Sequence, residues 1–462
     1  ALPITLLALL LAVYWARTRR PQWSSLLMGG LVIGALWPTN TWDYPTYLVV
    51  SLAALVVAVA SQARVRGSDL EGATWRALAL IILTRLLYQP YFHHYAAGYS
   101  SVKRWEDGQT PLTIYLWIHG LFLFPIVTRL AVEVHRLRCR HTQYTRYLYG
   151  ALGISVLTGL ILFLLGHQIA LLTLPVGVCV AGLVCAPEMP AGRRLLWLLV
   201  GAGMALSLLV EVVVLKGDIG RMNTVFKFYL QVWVMLAVAA GVSLAWVRER
   251  AFRWRIEGRQ LWWIGMGLLV FGGALFLPYG IRSRAVDRIS SYTGPTLDGM
   301  AFMQTSTVSD GPPGEPLREI SLRGDYFAIR WMQDHIQGSP VIMEGLGYRE
   351  YLWANRVSIY TGLPAVVGWR WHQVQQRTVL PDVMVNWRRD DVTRCYSTTD
   401  AAAAQEILTR YGVRYVYVGE YEGAYYSQAG LTKFDALAAQ GWLRVVYDQY
   451  GVRIYEVLGW DE

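Results

Sequence analysis

Three groups of residues combine types and spacings suited to chemistry. The first is Asn40-Thr41-Trp42-Asp43-Tyr44-Pro45, a carboxylate set between aromatic rings. Such a carboxylate suits a general base, or a partner for a sugar hydroxyl, with Asn40, Trp42 and Tyr44 around the pyranose. Asp43, two residues before a proline, equally suits a helix N-terminus, and Trp and Tyr are common interfacial anchors. The second group runs from Glu211 through Lys216, Asp218, Arg221 and Asn223 to Lys227. If a helix starts at Asn223, its free N–H groups and positive dipole end converge with Lys216, Arg221 and Lys227, which makes an anion site suited to a phosphate or diphosphate. Headgroup snorkelling explains Lys216 alone but not three cations around one helix start. The third group, Gly368-Trp369-Arg370-Trp371-His372, follows a strand-like stretch; Trp369, Trp371 and His372 beside a cation suit either carbohydrate or a membrane surface.

Other polar residues read more plainly. The loop from His93-His94 to Glu106-Asp107 could hold a divalent cation but matches no metal spacing and reads as a solvated loop; no metal ligands are assigned, and a cofactor beyond such a cation is unspecified. Arg85 and Glu211 lie inside apolar runs at similar depth, so an intramembrane pair between them is expected. His119, within the apolar stretch 112–120, reads as a packed helix histidine. The four cysteines, Cys139, Cys179, Cys185 and Cys395, form no zinc motif, and a single cysteine cannot staple the last domain.

The elements that hold these groups are mostly membrane helices. Of 462 residues 54% are hydrophobic and 16% charged, too apolar for a chain soluble throughout. Ten apolar runs of near-spanning length lie at 1–16, 23–37, 45–61, 77–91, 111–130, 147–165, 169–186, 195–215, 228–247 and 261–278. Alternate loops carry 17 and 5 Lys and Arg residues, which sets the basic loops in the cytoplasm and everything after residue 280 outside. That asymmetry accounts for the net charge of +10 without nucleic acid. Three segments follow: a transmembrane helical bundle over 1–280, a Gly/Pro/Ser-rich connector over 281–324, and an external α/β domain over 325–462. Within the last, PVIMEGL, RVSIYTG, VRYVYVG, LRVVYD and VRIYEV read as strands and FAIRWMQDHI and AAAAQEILTRYG as helices. The chain opens at Ala1 inside an apolar run, with no signal-peptide features, and is expected to be an N-terminally truncated fragment.

The stretches ALPITLLAL, NTWDYPTY, IHGLFLF, RMNTVFKFYLQVW, TLDGMAF, TGLPAVVGW followed by His372, and RYGVRYVYVGEYE run along nearly the whole chain. In them the sequence resembles the YYY membrane proteins of Chloroflexota and archaea, a family with a domain of unknown function that looks like the C superfamily of integral-membrane glycosyltransferases. The resemblance implies a multi-helix bundle in the plasma membrane, a polyprenyl-phosphate sugar donor and an active site at the external face. It also implies a tyrosine-rich motif and an Asp-Leu-His-Pro-His-like motif ahead of the ALP segment, neither of which this sequence contains, and a base from the first external loop. The expected function is sugar transfer from a lipid-linked donor to an external glycan or protein acceptor, in contact with membrane lipid. In that scheme Asp43 is the base, Lys216, Arg221, Asn223 and Lys227 meet phosphate, and Trp369, Trp371 and His372 shape the acceptor side. Transport or flipping of a lipid-linked anion, and a non-catalytic role in envelope assembly, are the rival expectations.

Overall fold

The computed structural model describes residues 1–62, 64–95, 101–216, 220–288, 294–377 and 381–459. Parts of the second group (217–219), of the His93–Asp107 loop (96–100) and of the connector (289–293) lie outside the described residues. The chain divides into two compact units, and the division falls inside a long helix, between residues 276 and 277.

The first unit is helical. In chain order it holds α1 (Leu2–Arg17), α2 (Trp23–Gly34), α3 (Leu36–Asn40), α4 (Asp43–Ala60), α5 (Gly67–Leu86), α6 (Gln89–His94), β1 (Val102–Arg104), α7 (Leu112–Arg140), α8 (Thr142–Leu164), α9 (Ala170–Val184), α10 (Ala191–Val212), β2 (Val213–Leu215), α11 (Met222–Arg250) and α12 (Ile256–Arg288). Six of these, α4, α7, α8, α10, α11 and α12, are long and apolar enough to cross a membrane. Ten crossings were expected, and the other four candidates fall short for visible reasons. The helices α1 and α9 are apolar but have only 16 and 15 residues, α2 has 12, and α5 carries Asp69, Glu71, Arg76 and Arg85.

Small residues let helices approach closely where no hydrophobic force drives them together in lipid. On α2, a Cβ at Gly29 would lie 2.4 Å from the Trp15 ring of α1, and one at Gly34 would lie 2.5 Å from Tyr88. One core packs α7, α8, α9, α10 and α11 around Trp197 and Tyr115; a second joins α1, α2 and α4 to α10 and α11 around Trp15 and Tyr47. Deep in the first core, Arg129 donates to Glu133 one turn on at 2.9 Å, and Trp197 Nε1 donates to the other Glu133 oxygen at 2.9 Å, so this buried charge pair is satisfied.

The second unit contains a 3-10 turn (Ala301–Gln304), then β3 (Thr307–Asp310), β4 (Arg318–Ser321), α13 (Arg323–His335), β5 (Val341–Met343), α14 (Arg356–Thr361), α15 (Arg370–Gln376), α16 (Asp382–Ser397), α17 (Ala401–Arg410), β6 (Val413–Val418), α18 (Glu420–Tyr425), α19 (Gln428–Ala439), β7 (Leu443–Gln449) and β8 (Val452–Val457). Its sheet has the order β5-β6-β8-β7, with β5 and β6 parallel and the remaining pairs antiparallel. The helices α16, α17 and α19 cover one face, and α13 with the 3-10 turn covers the other. The stretch read as a connector includes the antiparallel pair β3–β4.

RVSIYTG, read as a strand from its β-branched residues, is instead the helix α14. A distant carboxylate overrides the local preference: Glu344, just past β5, accepts the backbone N–H groups of Val357 and Ser358, each at 2.9 Å, and so caps the helix start. The fully buried Arg356 in the first turn donates to Asp325 at 2.6 Å and to Glu422 at 2.9 Å, fastening α14 to α13 and α18.

Candidate functional site

In the first unit the N-terminal ends of α4 and α11 come together. Asp43 opens α4, where a negative charge suits the positive end of the helix dipole and Pro45 is tolerated in the first turn. Its side chain is nevertheless shut away, with 2% of the residue exposed. Asn40, Gln231 and Lys227 face it, the last two one turn apart on α11. The amide nitrogen of Gln231 donates to the Trp42 carbonyl at 3.0 Å, which fixes the Gln231 side chain. Asp43 Oδ1 and Gln231 Oε1 are both buried and make no hydrogen bond among the described residues. Acceptor oxygens of this kind can take a hydrogen bond or a proton from a hydroxyl or water.

The aromatic neighbours are engaged with protein. Trp42 meets the Phe228 ring edge-on at 6.1 Å, while Tyr44 stacks on Trp37 at 4.2 Å and hydrogen-bonds Thr84 at 3.0 Å. They position the α4 start and leave little ring surface for a sugar.

A second cluster forms where α7, α10 and α11 meet. Glu211 accepts the Thr110 backbone N–H at 2.9 Å, the Thr110 hydroxyl at 2.6 Å and an Arg221 nitrogen at 2.8 Å. Arg221 also donates to the Val210 carbonyl at 3.0 Å and lies over the Trp105 ring at 5.4 Å. The expected Arg85–Glu211 pair is thereby corrected. Arg85 is exposed, with its guanidinium 3.5 Å from the Phe92 ring centre, while Arg221, ten residues from Glu211 in sequence, is the cation that pairs with it. Arg221, expected to meet phosphate, is committed to this carboxylate instead.

Lys216 is exposed, its backbone N–H donating to the Ser101 carbonyl at 3.0 Å beside the β1–β2 pairing of Val102 with Leu215. Asn223 lies in the first turn of α11, which starts one residue earlier than expected. Sequence reasoning missed Thr110, Gln231 and Tyr229; Gln231 in the apolar run 228–247 was the available signal, since an amide inside a membrane helix requires partners. His119 is fully buried between Tyr115 at 4.6 Å and Tyr229 at 5.4 Å, and neither of its nitrogens has a hydrogen-bond partner among the described residues. No group of three or more His, Cys, Asp or Glu side chains is placed to hold a metal among the described residues.

Between α4 and α9, floored by α10, runs an apolar fissure of about 570 Å³. Val49, Ala53, Gly177, Val178, Ala181 and Ala205 line it, small side chains keeping it open.

In the second unit a cleft of about 570 Å³ lies beyond the carboxyl ends of β5 and β6, bordered by Trp369 and Arg370. Behind the strands the buried Tyr396 ties their ends together, its hydroxyl within 3.0 and 2.8 Å of the Met343 and Tyr417 carbonyls. His372 lies against Tyr351, which packs on Trp369 at 5.1 Å between centroids. Trp371 is exposed and does not line the cleft; its backbone N–H donates to Glu350 at 3.0 Å.

Long apolar helices packed through glycines and internally satisfied charges define a polytopic helical membrane protein. Residues 1–236, just over half of the chain, match the family of uncharacterized membrane proteins DUF2298, and the chain belongs to that family. The membrane family of unknown function that the motifs resembled is thus borne out. No curated protein matches the chain.

Proposed function

We propose that this membrane protein is a glycosyltransferase that moves a sugar from a polyprenyl-phosphate donor to a hydroxyl acceptor. The observation that carries the reading is the pair of acceptor oxygens on Asp43 and Gln231 that have no partner among the described residues, beside Lys227. In the reaction, the acceptor hydroxyl gives its proton to Asp43 as its oxygen bonds to the anomeric carbon. The bond from that carbon to the phosphate oxygen breaks, and polyprenyl phosphate leaves with the electron pair. Lys227, Lys216 and the α11 N-terminus around Asn223 offset the leaving charge, while Arg221 holds Glu211 and so positions the start of α11. An apolar fissure along α4 supports a lipid-linked donor, since an isoprenoid chain needs a lipid-facing groove with few polar atoms.

The topology that fits this reading has ten crossings, with α1, α2, α5 and α9 joining the six longer helices, in the plasma membrane. The basic loops then face the cytoplasm, and the N-terminal ends of α4, α7 and α11 face outside together with the second unit. The test is transfer by the purified protein in lipid vesicles, offered a panel of labelled polyprenyl-phosphate sugars and soluble glycan acceptors. Transfer is expected, with Asp43→Asn lowering the rate by about 10²–10⁴-fold. No transfer across the panel, or an Asp43→Asn variant at the full rate, overturns the proposal.

A second reading, movement of a lipid-linked anion across the bilayer, draws on the buried polar atoms of His119, Tyr47 and Ser51, which have no hydrogen-bond partner among the described residues. The same vesicles decide between the two readings. Transport exposes the labelled donor on the opposite leaflet with its glycosidic bond intact, whereas transfer releases polyprenyl phosphate.

A further inference from the structure

The cleft of the second unit has a lining unlike that of the fissure. Aromatic faces and paired charges meet there in similar measure. Trp369, Tyr348, Tyr425 and Tyr426 contribute rings, and Arg370, Arg389, Glu350 and Asp390 contribute charges. The charges cancel, two positive against two negative, and both arginines have partners: Arg370 donates to Asn386 at 2.6 Å and Arg389 to Asp390 at 2.8 Å. A phosphate or other anion would find no excess charge to neutralise. One oxygen of Glu350 holds the Trp371 N–H at 3.0 Å, whereas Oε2 is buried and unpartnered among the described residues. A buried acceptor of this kind requires a donor, and in a cleft the donor comes from the occupant.

The loop that carries Glu350 is held in an uncommon conformation. Tyr351 and Asn355 both adopt the left-handed region, with φ of 61° and 67°, which costs energy at non-glycine residues and is found where a site must be pre-shaped. Position agrees with composition, because ligands of α/β sheets bind beyond the carboxyl ends of the parallel strands, here β5 and β6. A neutral molecule with an apolar ring face and many hydroxyl donors satisfies all of these features: the ring face stacks on an aromatic side chain and a hydroxyl donates to the unpartnered carboxylate oxygen.

We propose that this cleft is a binding site for neutral saccharide, stacked on Trp369 and hydrogen-bonded through a hydroxyl to Glu350 Oε2. The site belongs to the second unit alone and stands whether or not Asp43 catalyses transfer. It makes that unit a glycan-recognition module, a role separate from the chemistry assigned to the bundle.

The experiment is saturation-transfer NMR of the whole chain in lipid nanodiscs with maltotriose, mannotriose and chitotriose as probes, backed by titration of each binder. At least one trisaccharide is expected to bind with a Kd at or below about 1 mM. Glu350→Gln, which keeps the side-chain shape, and Trp369→Ala are each expected to weaken it at least tenfold, with Trp369→Phe retaining most of the affinity. The thermal unfolding midpoint checks that each variant is folded, and Glu350→Gln carries the test if Trp369→Ala is not. Binding of none of the three probes, affinity unchanged in Glu350→Gln, affinity unchanged in a folded Trp369→Ala, or capture of inorganic pyrophosphate in preference to sugar would each overturn the proposal.

Discussion

At the scale of single residues, the chain contrasts a buried acid held by several donors with one that keeps an oxygen without a partner among the described residues. Glu211 has three donors among its partners, and Arg221 supplies the compensating charge. Arg221→Ala would leave that carboxylate buried and uncompensated, so a loss of about 3–5 kcal/mol is expected, read as a fall in the thermal midpoint of the detergent-solubilised protein. Asp43 is the reverse case: its Oδ1 has no donor among the described residues, so Asp43→Asn should cost little or no stability while it removes the proposed base. In the second unit, burial pushes the Glu344 carboxyl up to about 7, against the opposing pull of Arg356 and the two N–H groups it caps. The folded state therefore holds a proton that the unfolded state has given up. The stability from this group is complete below about pH 4.5 and is lost as pH rises through 7. Glu344→Gln should flatten the dependence of the thermal midpoint on pH between 4.5 and 7. Asp43, Lys227 and Glu211 were legible as chemistry-bearing residues because few charges interrupt these apolar runs. Their partners were not, since Gln231 is 189 positions from the Trp42 carbonyl it holds, and sequence spacing carries no information across such a distance.

At the scale of elements, apolar runs delimit helices well because lipid requires every backbone N–H to be satisfied within the segment. Hence the expected spans over 111–130 and 228–247 appear as the cores of α7 and α11, both longer because polar turns continue the hydrogen-bond ladder past the apolar part. The misread RVSIYTG shows where local pattern fails: a side chain from another element caps the segment and decides between strand and helix. The pairing of β1 with β2 was likewise hidden, since three-residue strands in two distant loops leave no periodicity to detect. Close packing of α2 gives a prediction at this scale. Gly29→Ala would press a methyl group into the Trp15 ring, and a loss of about 1–3 kcal/mol is expected in chemical or thermal unfolding, while Gly72→Ala, which meets only the flexible end of Arg76, should be nearly neutral.

For the whole molecule, the charge asymmetry of the loops makes a claim that labelling can check. Cys139 and Cys185 are exposed beside basic loops, so a membrane-impermeant maleimide should reach them only after right-side-out vesicles are opened. A Thr399→Cys substitution at an exposed position of the second unit should be labelled without opening; the reverse pattern would invert the topology. The apolar character of the chain was evident from composition, and the α/β nature of the second unit from its alternating segments, but not that its sheet is mixed. The fissure was not, because it results from α4 and α9 both packing on α10 while leaving a gap between them. That gap bears on how the protein is handled. A detergent monomer offers an alkyl tail of much the same girth as an isoprenoid chain, so if the fissure seats the donor as proposed, the solvent used to extract the protein competes with it. Apparent inactivity in micelles, reversed on return to a bilayer, would then reflect occupancy of the fissure and not damage to the fold.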